Sequence, residues 1–245
     1  MDESKLVFFT GAPGSKWSAV AHIMAQSKKY LFDTGDYAED RQYAHYNDPD
    51  IIPHRGSYFG PGFPFGDSFD ALNRLSKKEI FEEIERAWIT TNNGYKIIKC
   101  HQFSIDLPKI YKMFPNSKFV IVYRSDEKCE EGWFGAGGFD IPYPRYKEGY
   151  TNKETMIKAM AHENRHNLMF IHENKLTMNV CNEGYWKNVF DVDTDDSIIK
   201  KYIRMVEGVP LTLDSKKLEL KNEDGYSMMV RNQKLDTFIA TMGFE

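Results

Sequence analysis

Leu6-Val7-Phe8-Phe9-Thr10-Gly11-Ala12-Pro13-Gly14-Ser15-Lys16-Trp17-Ser18 is the stretch on which the fold turns. Its apolar half reads as a buried β-strand. Its Gly/Pro/Ser half reads as a loop that runs into a helix, about 17–27. That order builds an anion site: loop N–H groups converge, the helix N-terminus adds partial positive charge, and Lys16 stands beside them. A phosphate is the natural guest.

The nucleoside-triphosphate version of such a loop needs Gly, four residues, Gly, Lys, then Ser or Thr. Counted from Gly11, those last three places hold Lys16, Trp17 and Ser18, so the second glycine and the phosphate lysine are missing. The best later strand, 118–123, runs into Arg124 where hydrolases of that class place a magnesium Asp. A cation there suits a second phosphate better than it suits Mg²⁺, so the site reads as nucleotide-binding without metal.

Two later segments extend the pattern. Gly94-Tyr95-Lys96-Ile97-Ile98-Lys99-Cys100-His101 reads as a short strand whose end presents Lys99 and His101; residues two apart share a strand face, which would set the two side by side. Lys118-Phe119-Val120-Ile121-Val122-Tyr123-Arg124-Ser125 reads as a strand closed by an arginine and a hydroxyl. A strand-end glycine loop, Lys-x-His and strand-Arg, in that order over about residues 5–130, resemble the sulfotransferases that use 3′-phosphoadenosine 5′-phosphosulfate (PAPS).

The resemblance implies a P-loop NTPase-like three-layer α/β/α fold with a mainly parallel sheet, and an enzyme that moves a sulfuryl group from PAPS to a hydroxyl or amine acceptor. PAPS would be a cosubstrate, with no metal required. Donor binding would fall to Gly11, Ala12, Pro13, Gly14, Ser15, Lys16, Trp17 and Ser18, with Arg124 and Ser125 at the 3′-phosphate. Catalysis would fall to His101 as general base, assisted by Lys99 and Lys16. The chain departs from the family at Gly14, which replaces Lys or Arg, and at Lys16, which replaces Gly. Gly132 lies near the place of a 3′-phosphate serine, and Met229-Val230-Arg231-Asn232 is the nearest trace of the C-terminal covering loop.

Strands alternate with helices through most of the 245 residues, as expected of a parallel sheet whose ligands sit beyond the strand C-terminal ends. One domain over 1–245 is expected, with a possible strand at Leu31–Thr34 and an irregular insertion at about 35–68. Beyond these come a Gly-rich aromatic loop at 132–139 and a C-terminal part at about 185–245. Tyr43, His45, His54 and Tyr58 of the insertion are candidates for the acceptor pocket, and Trp17 for stacking on adenine. His162 and His166 flank Glu163 in a His-Glu-x-x-His pattern with no third-ligand motif evident downstream beyond His172 and Glu173, so a zinc site is disfavoured.

A formal net charge of -4 argues against a general nucleic-acid binder. Cys100, Cys129 and Cys181 have neither disulfide nor zinc spacing and read as reduced thiols. No apolar run approaches membrane-spanning length, and the acidic start leads straight into strand one, so a cytoplasmic enzyme without signal peptide or membrane partner is expected. Its partner would be a small-molecule or saccharide acceptor. Two other readings stay open: a small-molecule or nucleotide kinase, and a sulfotransferase-like binding or assembly protein without catalysis.

Overall fold

The computed structural model describes residues 1–35, 37–38, 54–59, 75–140 and 151–213. Among the described residues there are six strands: β1 (Leu6–Gly11), β2 (Ser57–Tyr58), β3 (Lys96–Lys99), β4 (Lys118–Val122), β5 (Thr177–Val180) and β6 (Pro210–Leu213). Seven α-helices accompany them among the described residues. They are α1 (Trp17–Met24), α2 (Lys77–Arg86), α3 (Phe103–Met113), α4 (Asp126–Gly135), α5 (Lys153–Glu173), α6 (Glu183–Phe190) and α7 (Ser197–Val206).

The strands form one sheet in the order β2-β3-β1-β4-β6-β5. β1 lies between β3 and β4 and runs parallel to both, with Phe9 opposite Lys99 and Gly11 opposite Val122. β2 is parallel to β3, whereas β6 is antiparallel to both β4 and β5. The sheet is therefore mixed but mostly parallel.

β1 is apolar on both faces, as a central strand covered on two sides must be. Val7 and Phe9 pack with Val20 and Ile23 of α1, Trp186 of α6 and Ile203 of α7. Leu6 and Phe8 pack on the opposite face with Ile84 of α2, Leu107 and Ile110 of α3, and Phe170 of α5. Phe8 alone meets the rings of Phe103, Phe114 and Phe119 within 5.7 Å. Helices thus cover both faces, an arrangement compatible with three α/β/α layers.

Local signals explain several element ends. Ser76 and Glu79 close a capping box at the start of α2, and Asn152 and Thr155 do the same for α5. Asp196 caps α7, its carboxylate accepting from the N–H groups of Ile198 and Ile199. The strand expected at Leu31–Thr34 is reduced to a single parallel bridge, Phe32 to Tyr95. Asp33 is the reason: its carboxylate takes the N–H groups of Gly35 and Asn92 and the buried Lys96 ammonium at 2.9 Å, which bends the chain away from the sheet. The loop expected at 132–139 is instead the end of α4 followed by a 3₁₀ turn at Gly138–Asp140. Trp133 holds it there, packed with Ala12, Met156 and Met160.

Most of the insertion expected at about 35–68, including Tyr43 and His45, lies outside the described residues, as do 214–245 with Met229 and Arg231. Among the described residues no helix is long and apolar enough to cross a membrane.

Candidate functional site

The C-terminal ends of β1, β3 and β4 are adjacent in the sheet, so the three sequence segments singled out above meet at one edge of the molecule. Each side chain arrives there by a distinct route.

The loop after β1 is shaped by its backbone. Gly14 adopts φ 79°, and a Cβ on it would fall 1.9 Å from the carbonyl oxygen of Cys129 in α4. Gly132 returns the contact: a Cβ there would lie 2.4 Å from the Gly14 oxygen. The back of the loop therefore rests directly on the backbone of α4, which only glycine at both places permits. Ala12 is fully buried against Cys129 and Trp133, and Pro13 is buried too, so these residues shape the loop rather than line an open face. Ser15 donates its N–H to the Ala12 carbonyl, and its hydroxyl is buried with no hydrogen-bond partner among the described residues.

Lys16 occupies the N-cap of α1 in the left-handed conformation, φ 70° and ψ 15°. Its side chain makes no capping bond, and burial, then the Arg124 charge, lowers its amine from the ordinary lysine value. Trp17 begins α1 and turns toward the strand ends. It meets Phe9, Tyr58 and His101 at 6.3, 6.2 and 6.4 Å between ring centroids. The Ser18 hydroxyl pairs with His54 Nδ1 at 3.1 Å, which ties the segment before β2 to the first turn of α1.

Lys99 ends β3. Its side chain is 1% exposed, its Nζ lies 4.7 Å from the centroid of the Trp17 ring, and it has no hydrogen-bond partner among the described residues. Burial alone pulls its amine down to about 7. The strand stops at Lys99, so the expectation that Lys99 and His101 share a strand face does not hold. Cys100 and His101 belong instead to the turn before α3, and the side chains of Lys99 and His101 both lie near the Trp17 ring.

His101 is held from two sides. Its carbonyl accepts from the hydroxyls of Thr10 at 3.2 Å and Ser104 at 3.0 Å. Its Nδ1 lies 2.8 Å from Glu163 Oε1 of α5. Glu163 is thus the partner of His101, although the sequence presents it as the centre of His-Glu-x-x-His. The flanking His162 and His166 meet edge to face with ring centroids 4.5 Å apart, the first exposed and the second half-buried. Among the described residues no group of three or more His, Cys, Asp or Glu is placed to hold a metal ion.

Arg124 follows β4 and is half-buried. Its Nη1 donates to the carbonyls of Gly14 at 3.3 Å and Lys128 at 3.1 Å, joining the loop to α4. Ser125 is the N-cap of α4, its hydroxyl accepting from the Lys128 N–H. Asn164, next to Glu163, donates to the Arg124 carbonyl at 2.9 Å and to Asp126 at 2.7 Å. Two successive residues of α5 therefore secure the ends of β3 and β4. The sequence reading missed both, because a contact across 62 residues leaves no local signature.

Chemically, this edge offers a strand-to-helix loop, the cations Lys16 and Arg124, a buried amine with no hydrogen-bond partner among the described residues, and an imidazole braced by a carboxylate. No protein-family model matches the chain, and no curated protein or solved structure matches it either.

Proposed function

We propose that this chain is a PAPS-dependent sulfotransferase built on a P-loop NTPase-like core, acting on a hydroxyl or amine acceptor. One observation carries the reading: the buried Lys99 amine has no hydrogen-bond partner among the described residues, and it lies over the ring of Trp17, the first residue of α1. Such a group is costly to bury unless an anion joins it. A phosphosulfate on the loop N–H groups would supply that anion, with Lys16 on its other side. Arg124 would take the 3′-phosphate.

Sulfuryl transfer needs positioning and charge stabilisation more than covalent help from the protein. The acceptor oxygen or nitrogen attacks sulfur while the bond from sulfur to the bridging phosphate oxygen breaks, and that oxygen keeps the electron pair. Lys99 and Lys16 would balance the growing negative charge on it. The acceptor proton would pass to His101 Nε2, since Nδ1 is engaged by Glu163. Three buried cysteines outside any disulfide suit a reducing compartment such as the cytoplasm.

A second reading has its own support. Arg124 is already bonded to two carbonyls, Ser125 is spent as a helix cap, and Gly132 offers no hydroxyl. A protein that kept the fold and lost the donor would look this way at the 3′-phosphate end.

Thermal denaturation with adenosine 3′,5′-bisphosphate, with ATP and Mg²⁺, and without ligand separates these readings. The bisphosphate should stabilise without metal, by about 2.7 kcal/mol at 100 times its Kd. Arg124→Ala should weaken the bisphosphate far more than adenosine 5′-phosphate. Stabilisation by ATP and Mg²⁺ alone would favour a kinase. No response to either nucleotide would favour the non-catalytic reading.

A further inference from the structure

We infer that Glu163 is a positioning residue for His101, fixing the imidazole with its proton on Nδ1 and leaving Nε2 as the basic nitrogen; this deepens the sulfuryl-transfer reading and rests on it. The geometry is that of a buried carboxylate–imidazole pair, 2.8 Å apart, with side chains 5% and 2% exposed. A carboxylate oxygen can only accept from Nδ1, so in the neutral ring the proton sits on Nδ1 and the lone pair on Nε2.

The backbone of His101 adds to the constraint. Hydrogen bonds from Thr10 in β1 and Ser104 in α3 fix its carbonyl, which leaves the ring only its side-chain torsions. Glu163 settles those. Asn164 anchors the same turn of α5 to the Arg124 carbonyl and to Asp126, so the carboxylate is itself held in place. Neither His162 nor His166 is needed for this arrangement, which accounts for the Glu of the His-Glu-x-x-His pattern without a metal.

In the transfer step the acceptor O–H or N–H proton moves to Nε2 as the acceptor bonds to sulfur. The imidazole becomes a cation, Nδ1–H stays on the ring, and the Glu163 charge offsets the new positive charge. The sulfur–oxygen bond to the phosphate breaks with its electron pair, and Nε2 loses its proton to solvent after product leaves. A carboxylate in this position stabilises the imidazolium and need not be protonated itself.

The test uses the full chain, PAPS, a panel of phenol, alcohol and amine acceptors, and ¹⁵N-histidine spectra. The His101 signals are assigned by their loss in His101→Asn. In the wild type the ¹⁵N shifts should report the Nδ1–H tautomer, and Glu163→Gln should mix the two tautomers. Glu163→Gln should also lower kcat at least about 100-fold while KM for PAPS stays within about two-fold. Glu163→Asp, which restores the charge on a shorter arm, should recover part of the loss. Nε2–H in the wild type, or transfer by Glu163→Gln at full kcat, would overturn the inference. Should Glu163→Gln fail to fold, the wild-type tautomer alone decides it. A wild type that transfers sulfuryl to no acceptor ends the transferase reading separately, because the tautomer is read without turnover.

Discussion

Lys16→Gly should make the protein more stable and a worse anion binder at once. Lys16 holds a left-handed conformation at the N-cap of α1, a backbone state that costs a residue with a Cβ about 1–2 kcal/mol. Its cationic side chain also stands at the positive end of the helix dipole, for roughly 0.3–1 kcal/mol more. Glycine removes both terms and gives back about 0.4–1 kcal/mol through the extra freedom of the unfolded chain. The net gain is about 1 kcal/mol, or a Tm rise of about 2–4 °C for a chain of this size. Loss of a charge-assisted contact to the donor phosphate works the other way, for about 1.5–3 kcal/mol, or roughly 10–150-fold in Kd. Calorimetry of the empty protein measures the first effect, and titration with adenosine 3′,5′-bisphosphate the second. Lys16→Ala is the control: it loses the charge but keeps the strained backbone, so it should bind as poorly as the glycine variant while keeping only the dipole part of its stability gain, about 0.3–1 kcal/mol. A Lys16→Gly protein that melts lower than the wild type, or binds the bisphosphate equally well, would refute the reasoning.

Further outcomes follow from the same geometry. The amine of Lys99 sits near 7 in the fold and about 10.4 when unfolded, so between those values the unfolded chain holds more protons and stability rises with pH. Urea titrations should show the wild type gaining on Lys99→Met by up to about 1.4 kcal/mol per pH unit across that window; parallel profiles would show that the amine is not buried uncharged. Binding of the bisphosphate at pH 8 should draw a proton onto Lys99, seen as a dependence of the calorimetric heat on buffer ionisation that Lys99→Met abolishes. Gly14→Ala should cost about 2–6 kcal/mol in urea unfolding, from strain at positive φ and the clash with the Cys129 carbonyl. A near-wild-type midpoint would mean that α4 can yield.

What the sequence discloses here is what is local. The apolar run Leu6–Phe9 forms the central strand because it is covered on both faces, and Ser76 with Glu79 announces α2 through a reciprocal cap. Gly11–Ser18, Lys99 and Arg124 are brought to one edge because parallel neighbours share their direction. The remainder depends on partners far along the chain. Asp33 bends its segment through Lys96 and Asn92, which overrides the β propensity of Leu31 and Phe32. Glu163 sits in a pattern that suggests zinc, while its actual neighbour comes from the turn before α3. β6 reverses the sheet through four residues whose pairing no periodicity reveals.

That reversed strand has a bearing on how the protein is made. β5 comes before β6 in the chain, yet its described pairing is with β6 and not with β4. During N-to-C synthesis at about 5–20 residues per second, the stretch between Val180 and Pro210 takes about 1.5–6 s to appear. Through that interval the β2-β3-β1-β4 half of the sheet can assemble, while β5 and the open edge of β4 both wait with unsatisfied backbone donors and acceptors. β6 fills both edges when it arrives, so the last described strand acts as a keystone. A nascent chain stalled before Pro210 would carry two adhesive edges, and release of the chain as a well-behaved protein depends on those four residues.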